Sequence, residues 1–158
     1  MREKEREIGE ILRRKGLKLA IAESATGGKI CDLITDIPGS SDYFLGGIVA
    51  YDPEIKVRIL GVRRETIDEF TVVSREVAAE MAEGVRRLLG AEVGVGTTGI
   101  AGPTGEMPGK PVGLICIAVA TPKGVRAEEF RFSGGRMENK SSFAEAALNL
   151  LLEELRKL

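Results

Sequence analysis

The chain has 158 residues, 23 of them basic and 24 acidic, for a formal net charge of −1. That length suits one domain with a single substantial core, and charges that nearly cancel along the whole sequence exclude a broad positive field for a nucleic-acid backbone. No apolar run approaches the roughly 18 residues of a membrane-spanning helix, and the absence of histidine excludes a Ser-His-Asp or Cys-His relay and any histidine-ligated zinc.

The charged opening MREKEREIGE reads as helix rather than signal peptide, so a cytoplasmic protein is expected. Ile8, Ile11 and Leu12 give this helix its apolar face, and Gly16 stops it. Leu17 to Ala22 is a short, nearly continuous apolar segment, the mark of a strand buried on both faces. Glu23-Ser24 then leads into a helix over 25–37 with Ile30, Leu33, Ile34 and Ile37 at helical spacing. Pro38-Gly39-Ser40-Ser41 breaks that helix, and the chain resumes as a strand from Tyr43 to Tyr51. Pro53 suits the first turn of a short helix carrying Ile55, Lys56, Ile59 and Leu60.

Ser74 is placed as the N-cap of a long helix to Leu89, ended by Gly90. Glu92 to Thr98 is the next strand, and the irregular stretch TGIAGPTGEMPGKP follows, a loop long enough in a compact domain to suggest function. Strands over 112–120 and 125–132 flank Thr121-Pro122-Lys123-Gly124 as a hairpin, and a last helix starts near Glu138. Cys31 and Cys116 sit in unlike apolar settings and read as core residues rather than a disulfide. The sum is one α/β domain over residues 1–158, a three-layer α/β/α sandwich on a mixed sheet. Ligands gather at the carboxyl ends of strands in such folds, which here are Glu23-Ser24, Tyr51-Asp52 and Thr97-Thr98.

The run from Gly94 to Gly99 fits G-x-G-x-x-G, but its first two glycines lie inside a strand and no helix opens behind it, so a dinucleotide site is rejected. In AESATGG, Ser24 or Thr26 can cap the following helix, or the free amides at the helix start can receive an anion or oxyanion. Ser40-Ser41, after Pro-Gly, reads by itself as an ordinary turn. A histidine-free serine hydrolase needs a lysine or tyrosine beside its serine, and Tyr51 and Lys56, five positions apart across a strand-to-helix turn, can face one pocket. Arg136, in Ser-Gly-Gly-Arg, is placed to grip a phosphate or carboxylate.

AES-x-TGG, then ITDIPGSSDYFLGGIVAY with the Lys56 that follows, then TGIAGPTG with KPVG, then F-S-G-x-R, resemble in order and spacing the C-terminal domain of the CinA (competence/damage-inducible) family. The likeness covers about residues 5 to 155 and extends to the family's stand-alone nicotinamide-nucleotide amidases. It implies hydrolysis of nicotinamide mononucleotide to nicotinate mononucleotide and ammonia, without metal or other cofactor, by a cytoplasmic homo-oligomer whose partner is a small nucleotide. The resemblance carries over Ser41 as nucleophile, Lys56 as base and Tyr51 as a support for proton transfer, with Ser24 an alternative nucleophile. Ser24, Thr26, Gly27, Thr98 and Gly99 then surround the amide, and Arg136 takes the phosphate. The family commonly has Cys at Ala25, Tyr-Ser-Asn at Tyr51-Asp52-Pro53 and a second arginine at Lys140, and Lys cannot repeat a bidentate grip. A nucleotide-binding or sensor module that keeps the pocket without the chemistry is the second reading, and an assembly partner docked through the glycine-rich loop the third.

Overall fold

The computed structural model describes residues 2–158. Their order is α1 (Glu3–Lys15), β1 (Leu19–Glu23), α2 (Lys29–Thr35), a 3-10 turn (Ser40–Asp42), β2 (Phe44–Val49), α3 (Pro53–Leu60) and α4 (Arg64–Phe70). Then come α5 (Arg75–Leu89), β3 (Val93–Gly99), β4 (Leu114–Thr121), β5 (Gly124–Arg131) and α6 (Arg136–Arg156). The sheet order is β2-β1-β3-β4-β5, with β1 parallel to both neighbours and the β4–β5 hairpin antiparallel. None of the described helices is long and apolar enough to cross a membrane.

Helices cover both faces, as the sandwich reading expected. On one side Ile8 and Leu12 of α1, Ile30 and Ile34 of α2, and Phe143, Leu148 and Leu151 of α6 pack on Leu19, Ile21, Val93 and Val95. On the other, Val77, Met81 and Val85 of α5 and Leu60 of α3 pack on Ala20 and Ala22. β1 and β4 are buried along their whole length because each is covered twice, which explains their unalternating apolar sequences.

Gly94 and Gly96 settle the rejected dinucleotide fingerprint in structural terms. Both sit within β3 beneath α5, where a Cβ would overlap the carbonyls of Ala82 and Ala78. Their smallness seats a helix on the sheet.

Two local readings differ from expectation. The helix expected over 25–37 is confined to Lys29–Thr35, because residues 25–28 form a turn held by the Glu23 carboxylate. α4 carries little sequence signal, since RETIDEF offers only Ile67 and Phe70 as large apolar residues.

Candidate active site

β1, β2 and β3 run parallel, so their carboxyl ends open on one cleft of about 280 Å³. Ser24 follows β1, Ala50 and Tyr51 follow β2, and Thr98 and Gly99 end β3. Val72, Val73, Ile100 and Met107 supply apolar wall, and Arg136 stands at the start of α6. The charged side chains lining the cleft are Lys56 and Arg136, both cationic, and neither is ion-paired among the described residues.

Lys56 is the centre of the arrangement. It is 1% exposed, on the inner face of α3, with Asp52 capping that helix through the amide of Glu54. Its Nζ donates to Ser24 Oγ at 2.9 Å, to the Ala50 carbonyl at 2.8 Å and to the Tyr51 carbonyl at 3.1 Å. Burial pulls the ammonium down from 10.5 to about 8, against the opposing pull of the Asp52 carboxylate. An ammonium has three N–H groups, and three acceptors are present. When it loses a proton, two N–H groups suffice for the two carbonyls, which cannot donate, and the lone pair falls toward the Ser24 hydroxyl.

Glu23 holds the turn that follows β1 and carries Ser24. Its carboxylate is fully buried and accepts from the Thr26 hydroxyl and from the amides of Gly28, Ile30 and Cys31. It therefore does the capping expected of Ser24 or Thr26, and it occupies amides that were expected to be free for an anion. Cys31 packs beside it, and burial together with the Glu23 carboxylate pushes its thiol above the ordinary range, which disfavours the thiolate.

Several expected roles do not match their positions. Ser41 is exposed in the 3-10 turn that precedes β2, whereas the cleft lies beyond that strand's other end. Six strand residues put about 20 Å between them, so Ser41 is not part of this site. Thr26 spends its hydroxyl on Glu23, and Gly27, in the left-handed region at φ +63°, is exposed beside Lys140, so neither lines the cleft. The Thr98 hydroxyl donates to the Val72 carbonyl at 3.0 Å, which ties the 71–73 turn to β3 and leaves no proton for an oxyanion. Tyr51 reaches Lys56 through its carbonyl; the residue is 59% exposed, and its phenol accepts from Arg136 at the mouth. Ser24, Tyr51, Lys56, Thr98, Gly99 and Arg136 all line the cleft.

Fold and site together define an α/β domain with a buried serine–lysine pair at the carboxyl ends of its parallel strands. The CinA C-terminal domain model matches residues 1–155, and the chain belongs to that family. A CinA-like protein of Chloroherpeton thalassium is 48% identical over 155 residues, which cover 96% of this chain and 37% of that protein. The chain spans about a third of the length of the curated relatives it matches. A crystal structure of a competence-damaged protein (CinA) superfamily member from Klebsiella pneumoniae superposes with TM-score 0.95 at 27% identity, covering 99% of this chain and 98% of that one. A competence/damage-inducible protein from Agrobacterium tumefaciens does so with TM-score 0.93 at 38% identity, covering 98% and 94%.

Proposed function

We propose that this domain is a metal-independent amidohydrolase that cleaves the carboxamide of nicotinamide mononucleotide, with Ser24 as nucleophile and Lys56 as its base. The 2.9 Å contact between a buried lysine of depressed pKa and a serine hydroxyl carries the reading. A cleft whose charged side chains are both cationic supports an anionic substrate.

In this reading the Ser24 proton passes to the neutral Lys56 amine as Oγ bonds to the carboxamide carbon. The tetrahedral adduct collapses with cleavage of the C–N bond, and the Lys56 ammonium gives its proton to the departing nitrogen, which leaves as ammonia. Lys56 next takes a proton from water as the water oxygen attacks the ester carbon. The C–O bond to Ser24 breaks, Ser24 regains its proton and the product leaves as a carboxylate. In this reading main-chain donors at the Ser24–Ala25 turn face the oxyanion; the Thr98 hydroxyl and the amides of Gly28, Ile30 and Cys31 are engaged elsewhere. Arg136 would hold the phosphate with guanidinium donors beyond those given to Gly102 and Tyr51.

Ammonia release from nicotinamide mononucleotide, in the presence of a chelator, tests this directly. Release should disappear in Ser24→Ala and persist in Ser41→Ala. Release surviving in Ser24→Ala would replace the serine by a lysine-activated water. Binding without release by the unaltered protein would leave a nucleotide-binding module.

A further inference from the structure

Asn139 lies one turn into α6, 1% exposed, with no part in the chemistry just described. Its Nδ2 donates to the Ala101 carbonyl at 3.0 Å and to the Gly134 carbonyl at 2.9 Å, and its Oδ1 accepts from the Gly134 amide at 3.0 Å. Both donors and one acceptor site are thus engaged, and the amide plane is fixed. These contacts join two segments far apart in sequence: the turn that leaves β3, and the glycine turn that delivers Arg136 to the cleft. Arg136 itself spans the same junction, donating to the Gly102 carbonyl at 2.7 Å and to the Tyr51 phenol at 3.1 Å. Unlike Asn139, it is exposed.

We infer that Asn139 is the positioning residue for Arg136, holding the β3 turn and the α6 start together so that the arginine's remaining donors face an anionic group of the ligand; the inference rests on the phosphorylated substrate of the reading above. With an apolar residue at 139, two carbonyls and an amide would lose their partners. Among the described residues, Arg136 would then supply the remaining side-chain hydrogen bond across the junction, at the expense of its orientation. The effect belongs to phosphate recognition, because Ser24 and Lys56 are fixed from β1, β2 and α3 and share no hydrogen bond with Asn139.

The test compares nicotinamide mononucleotide with its phosphate-free riboside on the full chain, by calorimetric Kd and by kcat and KM for ammonia release. Arg136→Ala should raise Kd and KM for the mononucleotide by about 10- to 100-fold, the range of a charge-assisted pair. Asn139→Leu should raise them by about 5- to 30-fold. Asn139→Leu should leave the riboside and the kcat values near those of the unaltered protein. In the double variant the loss should not exceed that of Arg136→Ala alone. Equal weakening toward both ligands, or full additivity in the double variant, would overturn the inference and leave Asn139 a purely structural residue. Asn139→Asp keeps the acceptor for Gly134 but loses both donors, and carries the same comparison if Asn139→Leu does not fold. Binding without ammonia release overturns the amidase reading and leaves Asn139 to be judged by Kd; failure of the unaltered protein to bind either ligand overturns both.

Discussion

A lysine serves as a base only when neutral, so under the proposed reading the setting of Lys56 implies a pH dependence. With its pKa lowered to about 8, kcat/KM should rise with pH and level off above an inflection near 8. Lys56→Met should lose about 10² to 10⁴-fold in turnover and the inflection with it, in a pH–rate series. Asp52 raises the Lys56 pKa, and asparagine caps helices as well as aspartate does, so Asp52→Asn should move the inflection to lower pH with α3 intact. Stability follows the same group with the opposite sign to an ordinary ion-paired lysine. Between about 8 and 10.5 the unfolded chain holds a proton that the folded chain has released, so folding stability rises with pH through that window. Below about 8 the cost of the buried charge is fully present, about 3 kcal/mol. The stability of the unaltered protein relative to Lys56→Met should therefore improve by about that amount from pH 8 to 10.5, read by denaturant unfolding; a flat difference would mean Lys56 keeps an ordinary pKa.

At the level of elements, the site depends on how each strand end is tied off. Glu23 ends β1 and caps α2 with four hydrogen bonds, three of them to Oε1 and that of Cys31 to Oε2. Glu23→Ala removes every one beside the serine and should lower both Tm and kcat, with hydrogen bonds to charged groups worth about 1.5–3 kcal/mol each. Glu23→Gln can retain the Oε1 bonds and should fall between, as thermal unfolding and ammonia release would show. Sequence made the strand–turn–helix legible here through the apolar run and the glycines. It did not reveal the capping group, because a carboxylate closing a buried strand looks the same whether it points to solvent or folds back on the next helix. Ser41 was misplaced for a different reason: a hydroxyl pair after Pro-Gly carries no mark of which strand end it occupies. The direction of the chain carried that signal, since Ser41 precedes β2 and Tyr51 follows it. Asn139 offered no cue, because the two turns it joins meet only in the folded chain.

For the whole molecule, the cleft exists because two units from different parts of the chain are brought together: β1, with Ser24 just beyond its end, and α3, carrying Lys56. What holds them together is α5, which packs on β1 and β3 and also against α3. Gly84 is the point of closest approach, buried in the middle of α5, where a Cβ would overlap the carbonyl of Leu60, the last residue of α3. The obstacle is main chain at a helix end, not the tip of a flexible side chain, so α3 itself must move. Gly84→Ala should gain the better helix propensity of alanine, about 1 kcal/mol. It should lose more than that to overpacking, about 1–3 kcal/mol for one extra methylene in a tight core. Displacement of α3 carries Lys56 away from Ser24, so the variant should lose turnover as well as Tm while the Kd for a phosphorylated ligand, set from α6, stays near its original value. Gly16→Ala supplies the contrast: that glycine ends α1 at φ +67° with open space around it, away from the cleft. Its substitution should cost about 1 kcal/mol of stability through backbone conformation alone and leave turnover unchanged. Equal turnover losses in the two variants, normalised to the folded fraction, would mean that general stability rather than the seating of α3 governs the serine–lysine contact.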